Sequence, residues 1–340
     1  MRPSLASLRA ELRGAGVFEH RELRSWFELA CLLVVLAGCL VAMAVFGWVA
    51  WLVALPIGAV VTTSAVMLAH EGSHRSFSSS PARNTLVVYL LFPLLGGLGA
   101  LYWRNKHDRE HHAHPNVEGA DPDIRPFPFV SSRRDHEACG PTLRWFQRNC
   151  QRWLFWPMAT LMAIGMRRSS ILYLLRYRNK RERAWRLDVA CMIGHYVGWL
   201  VIPSLVWGPL VGFAVYLLLW GGVGVCLSLV FAPAHMGLPI RGERNHDWQH
   251  QLETTRNLEM PPWLSFFFIG LNYQVEHHLF PKIPHQQLPR AARITAAWCK
   301  RHEVPYHSEP YLVALADAAR FMADAWARDA EPAELVRLAS

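Results

Sequence analysis

Three short segments of this 340-residue chain concentrate side chains that bind metals. His70-Glu71-Gly72-Ser73-His74 carries two imidazoles at i, i+4, a spacing that puts both on one face of a helix. His107-Asp108-Arg109-Glu110-His111-His112 repeats that pair and adds an adjacent histidine. Gln274-Val275-Glu276-His277-His278 ends in another adjacent pair, and His235 stands alone at the end of an apolar run. Neutral imidazole ligates iron, zinc and copper. Eight histidines from four segments exceed what one tetrahedral zinc can use. They suffice for two metal ions with positions left open for oxygen.

Other polar residues compete for a role. Glu71, Glu110 and Glu276 lie about 100° around a helix from their histidine neighbours, which turns them away from a shared metal. Asp108, Asp121 and Asp123 are candidates to orient imidazoles through hydrogen bonds, with loop capping as the alternative. His114 and His285 read as structural; His20, His136, His246, His250, His302 and His307 read as surface residues. His195 falls inside an apolar run, where an ionisable residue is a functional candidate and a packed, hydrogen-bonded histidine is the alternative. Trp103, Trp248 and Trp263 read as interface anchors or as walls of a tunnel.

The elements that must position these residues are membrane helices. Leu29 to Ala69 contains no charged residue. As one helix it would extend about 60 Å, roughly twice a hydrocarbon core. A hairpin fits, with spans near 29–48 and 51–69. Val189 to Ile240 is likewise uncharged apart from two histidines, and Trp207-Gly208-Pro209 divides it into spans near 189–207 and 210–232. Residues 85–103 contain Pro93 and Gly96-Gly97-Leu98-Gly99 and read as a re-entrant stretch. Residues 153–166 and 261–273 are too short to cross and read as interfacial.

The expected fold is an all-α integral membrane protein. Four transmembrane helices in two hairpins carry a cytosolic helical cap that holds the histidine-rich site. Residues 1–28 form a cytosolic N-terminal segment, 29–290 the membrane domain and 291–340 cytosolic C-terminal helices. Within the last, Tyr311–Arg328 is amphipathic at helical period and suited to packing on the cap. With the N-terminus inside, every histidine group emerges on the cytoplasmic face.

Composition agrees. Hydrophobic residues make up 52% of the chain and charged residues 18%, with 15 Trp, a residue enriched at membrane interfaces. The net charge is +9. Between Arg133 and Arg186 thirteen Arg/Lys face three acids, a cytoplasmic headgroup-facing pattern rather than a nucleic-acid module. The seven cysteines form no CxxC and read as buried thiols of a reducing compartment.

HEGSH, HDREHH and QVEHH resemble the three histidine boxes of membrane fatty-acid desaturases. The flanking text is similar too: HHAHPNVEGADPDI, QLETTRNLE and NYQVEHHLFPKIPHQQLP, so that the likeness covers about residues 50–290. The resemblance implies a fatty-acyl lipid desaturase with two iron ions, O2 as co-substrate and an acyl lipid or acyl-CoA as substrate. It carries over His70, His74, His107, His111, His112, His277 and His278 as iron ligands, with His235 as an additional one between the second and third boxes. Gln274 stands where related proteins place a histidine, as in the front-end branch, and is a candidate to ligate or to bond a bound water. Thr254, Thr255 and Asn257 resemble a segment near the substrate entrance, with support of the third box as the equal alternative. That branch often carries a fused cytochrome b5 domain with an HPGG motif, which this sequence lacks. The resemblance therefore implies a separate electron-transfer protein of cytochrome b5 or ferredoxin type. The chemistry suits a metal cofactor, because removing hydrogen from an unactivated methylene exceeds what acid–base side chains achieve. A hydroxylase on the same scaffold is the alternative. A metal transporter would place ligands inside its spans, where only His195 lies.

Overall fold

A computed structural model describes residues 4–177, 179–243 and 247–331. After the short amphipathic α1 (Leu5–Gly14), the long apolar run divides into α2 (Glu22–Phe46) and α3 (Trp48–His74), which reverse at Gly47. The second run gives α10 (Arg183–Tyr196), which continues through a π turn into α11 (Ile202–Trp207), and then α12 (Pro209–His235), reversing at Gly208. Gly47 and Gly208 both have positive φ, the conformation that lets a span turn back at once. Glu22–Phe46, Trp48–His74, Arg183–Trp207 and Pro209–His235 are each long and apolar enough to cross a membrane. They form the four-span, all-α architecture expected of the sequence, and all four extend past the expected ends on the side of the cap.

Burial ranks the spans. The most apolar windows of α3 and α12 are 67% and 50% buried, against 22% for α2 and 11% for α10–α11. The helices that carry His70, His74 and His235 are thus the centre of the bundle, and the other two turn Val34, Val45, Leu205 and similar side chains outward. Such a girdle of exposed aliphatic residues is what a hydrocarbon environment requires.

Between the hairpins the chain makes a bent excursion. α4 (Pro81–Tyr89) starts on a Ser80 cap with Pro81 behind it and widens to a π turn over Leu90–Leu95. It breaks at Gly96–Gly99, and α5 (Ala100–Trp103) continues as a π-wound segment over Arg104–His111. The second arm is bent by 108° from the direction of the first.

The cap is assembled from both ends of the sequence. Short helices α6 (Arg133–Glu137), α7 (Pro141–Asn149) and α8 (Gln151–Met158) lead to α9 (Met162–Arg176), which packs along α12. α13 (Trp248–Thr254), α14 (Pro262–Phe267) and α15 (Gln274–Leu279) follow the last span. α16 (Leu288–Arg301) packs on α1, and α17 (Tyr311–Asp324) lies against α12 and α8. A parallel pair, β1 (Asn257–Glu259) with β2 (Ser308–Pro310), ties the C-terminal region to the segment before the third box.

Several expectations need correction. His250 and His136 are buried rather than exposed: His250 donates to the Pro115 carbonyl at 2.8 Å, and His136 bonds Gln147 at 2.7 Å. A single polar sequence context could not show that α13 folds onto the loop after the second box. His246 lies outside the described residues. Of the cysteines only Cys299 is buried, and Cys31 is exposed on α2, because span residues facing outward need no protein cover. Trp103 is buried against the histidines rather than anchored at an interface, whereas Trp263 is exposed.

Candidate metal centre

The eight candidate histidines converge on one end of the bundle in two adjacent groups. His70, His74, His107, His112 and His277 form the first, and His111, His235 and His278 the second. Within each group the potential ligand atoms lie within 4.8 Å of one another.

Local winding decides which histidine goes where. α3 carries His70 and His74 on its last turn, so the i, i+4 spacing delivers both to the first group. The second box does not keep that pattern. It is π-wound, with the His112 amide bonded to the His107 carbonyl at 2.9 Å. Bonding at i, i+5 stacks residue 107 under 112 instead of 111. The Nε2 atoms of His107 and His112 approach to 3.1 Å, and His70 Nε2 comes within 2.7 Å of the same His107 nitrogen. His111 is thereby rotated toward the second group. In α15, adjacent residues differ by about 100° around the axis, and this sends His277 to the first group and His278 to the second. His235 arrives from the last residue of α12.

The second group is oriented from behind. His111 Nδ1 lies 3.1 Å from both oxygens of Asp121. His235 Nδ1 donates to the Thr254 carbonyl at 3.1 Å, and His278 Nδ1 donates to Gln251 Oε1 at 3.0 Å. Each bond fixes the tautomer and leaves Nε2 free to face the centre. Trp103 closes the first group, its ring stacked on His107 with centroids 4.4 Å apart.

The carboxylates within the boxes serve elsewhere. Glu71 accepts from the His285 backbone at 2.6 Å, Glu110 accepts from Asn105 at 2.7 Å, and Glu276 accepts from Asn257 at 2.7 Å and Tyr306 at 2.9 Å. None of the three joins a histidine group among the described residues. Asp123 pairs with Lys106, and Asp108 stands 3.8 Å from His74 Nε2. Asn257 also accepts from the Val275 amide at 2.9 Å, and Thr254 and Thr255 bond back to the α13 carbonyls of His250 and Gln251. Asn257 thus supports the third box, while the Thr254 and Thr255 hydroxyls tie down the end of α13. Gln274 donates to the Leu271 carbonyl at 2.7 Å at the start of α15. His195 is a packed histidine bonded to Leu95 and Tyr216, remote from both groups.

The donor set fits metal ions. Burial, followed by the neighbouring histidines, holds the His112, His277 and His278 imidazoles well below the usual range, so they are neutral, the ligating form. Buried ring nitrogens of His74, His112, His235, His277 and His278 have no hydrogen-bond partner. Five orphaned buried polar atoms gathered at these two groups are costly unless something binds them.

The sequence reading missed Gln251 and Arg256. Gln251 Nε2 donates to the His112 carbonyl at 3.0 Å while its Oε1 accepts from His278 Nδ1, so one side chain links the second and third boxes. The buried Arg256 donates to the carbonyls of Pro233 and Met236, flanking His235, and pairs with Glu309 and Asp317. The only sequence signal was the polar run QLETTRN placed between two apolar segments.

The fatty acid desaturase family model matches residues 46–310, most of the chain. The chain belongs to the fatty acid desaturase family. Among similar proteins is an acyl-lipid (8-3)-desaturase of Thraustochytrium, 28% identical over 255 residues, covering 72% of this chain and 56% of that protein. Fatty acid desaturase 3 of Bos taurus is 29% identical over 297 residues, with 84% and 64% covered. A delta 8-(E)-sphingolipid desaturase of Emericella nidulans is 26% identical over 271 residues, with 71% and 47% covered. This desaturase-family chain thus spans between about half and two thirds of the length of these curated relatives.

Proposed function

We propose that the protein desaturates fatty-acyl chains of lipids in an O2-dependent reaction at two irons. The observation that carries the reading is the pair of adjacent, buried histidine groups in a chain of this family. His70, His74, His107, His112 and His277 would hold one iron and His111, His235 and His278 the other, with Gln274 a further candidate. The metals, with O2, would supply the oxidising strength needed to take two hydrogens from adjacent methylenes. Two electrons from a separate donor protein, of cytochrome b5 or ferredoxin type, and two protons complete the reduction of O2 to water as the alkene forms.

The chain's own residues would orient and enclose. Asp121, Thr254 and Gln251 hold three imidazoles from behind. Trp103, stacked on His107, would help keep water from the reacting methylenes. The bundle supports this substrate class: an acyl chain of a lipid, or of acyl-CoA at the membrane surface, would reach this end of the spans without leaving an apolar phase. The centre is assigned to the cytoplasmic face, because both hairpins return the chain to the side that carries the Arg-rich stretch of residues 133–186.

Expression in a host of defined lipid composition, followed by mass spectrometry of acyl chains, tests the reading. A product lighter by H2 is expected, and its fragmentation reports the double-bond position. A product heavier by one oxygen would mean hydroxylation. His111→Ala and His277→Ala should each abolish both product and bound iron; full activity in either would refute the ligand assignment.

A further inference from the structure

The second box hangs from the elbow between α4 and α5, where the helix path bends by 108°. Breaking a helix among apolar spans frees backbone groups that lipid cannot satisfy. Such backbone persists only where protein satisfies it again. Here four freed groups are taken by side chains of α9 and α10. Ser170 Oγ accepts from the Gly99 amide at 2.8 Å. Asp188 Oδ1 accepts from the Ala100 amide at 2.8 Å, and its Oδ2 accepts from the Leu101 amide at 2.9 Å. On the other side, His195 Nδ1 donates to the Leu95 carbonyl at 2.8 Å, which leaves Nε2 to accept from the Tyr216 hydroxyl at 3.1 Å.

Glycine permits this closeness. A Cβ on Gly97, whose φ is +66°, would lie 2.6 Å from the His195 ring, and one on Gly99 would lie 2.8 Å from Ser170 Oγ. Asp188 is itself fully buried within a membrane-spanning helix, and both its oxygens are committed to the elbow. An ionisable group in that setting is retained for a specific task.

We propose that Asp188 and Ser170 are positioning residues for the metal centre: by holding three consecutive amides they set the direction of the helix that delivers His107, His111 and His112. The inference rests on the reading of those histidines as ligands. Along the helix, His107 is ~9 Å and His111 ~15 Å beyond Leu101. A tilt on the order of 10° at the latch therefore moves these imidazoles by roughly 1.5–2.5 Å. Misplacement of about 1 Å costs on the order of 100-fold in rate.

Asp188→Asn isolates the geometry. The amide keeps the size of the carboxylate but accepts with one atom only, and its NH2 confronts the remaining backbone amide. Full-length wild type, Asp188→Asn and Ser170→Ala, purified in detergent, are compared by hydrogen exchange of peptides across residues 98–104, by the spectroscopic signature of bound iron and by acyl product. In Asp188→Asn, elbow amides should exchange about 10-fold faster, matching loss of one charge-assisted hydrogen bond, with peptides of α2 and α16 unchanged. The iron signature should shift, and product should fall about 10- to 100-fold. Wild-type exchange at the elbow, or an unaltered iron signature, overturns the proposal. Where Asp188→Asn does not fold, Ser170→Ala removes a single acceptor and carries the same test: faster elbow exchange supports the latch, and unchanged exchange refutes it. A wild type that holds no iron would instead defeat the functional reading, while exchange still tests the latch.

Discussion

A histidine is a dependable ligand only when its second nitrogen is committed elsewhere. Asp121 does this for His111, the Thr254 carbonyl for His235 and Gln251 for His278. Removing such a partner frees the ring to rotate and reduces its basicity. Asp121→Ala should therefore lower iron affinity or activity by about 10- to 100-fold with the fold retained, measured as iron per protein after dialysis against graded chelator. Gln251→Leu should loosen the same group, since it also severs the bond to the second box. Wild-type retention of iron in both variants would deny these side chains any orienting role. Asp121 was visible in the sequence because it follows its histidine closely. Gln251 was not, because nothing local relates it to His278.

At the scale of elements, one contact binds three of them. His285, just beyond the third box, lies between Glu28 of α2 and Glu71 of α3. Its Nε2 bonds Glu28 at 2.8 Å, and its Nδ1 pairs with Glu71 at 2.8 Å. Burial alone would lower the imidazole pKa, but the two carboxylates outweigh it and raise it to about 9. Because the folded pKa exceeds the unfolded value of about 6.5, this stabilisation is complete below about pH 6.5 and is lost as pH rises through about 9. Thermal unfolding in detergent should show that decline in wild type and a flatter profile in His285→Gln. His285→Ala leaves two buried carboxylates facing each other and should cost about 3–5 kcal/mol. A melting temperature equal to wild type would show the clamp to be inert. The sequence marked His285 as structural, but not its partners, which lie on helices far away in the chain.

At the scale of the molecule, the two turns and the site occupy opposite ends. Trp51 and Trp207 pack against each other beside Gly47 and Gly208, with ring centroids 5.7 Å apart, while both histidine groups sit where α3 and α12 end. A single orientation follows for the whole chain. Cysteines substituted for the exposed Trp48 and Leu210 should react with an impermeant maleimide from outside the cell. Cysteines at Arg13 or Lys300 should react only after permeabilisation. Labelling of both sets from one side would contradict the four-span arrangement.

Hydrophobic runs and histidine spacing are local properties, and they sufficed to delimit the four spans and to name the eight histidines that cluster. Both signals survive folding because a span must be apolar along its length and a helix places residues by its own period. The division of those histidines into groups of five and three was decided only in three dimensions. It depends on the π winding of the second box, which exchanges the roles of His111 and His112. The polar residues that hold the elbow and the boxes were equally hidden. Asp188, Ser170, Gln251 and Arg256 each satisfy backbone or imidazole groups on another element. A hydrogen-bond partner is chosen by proximity after packing, so no periodicity along the chain records it.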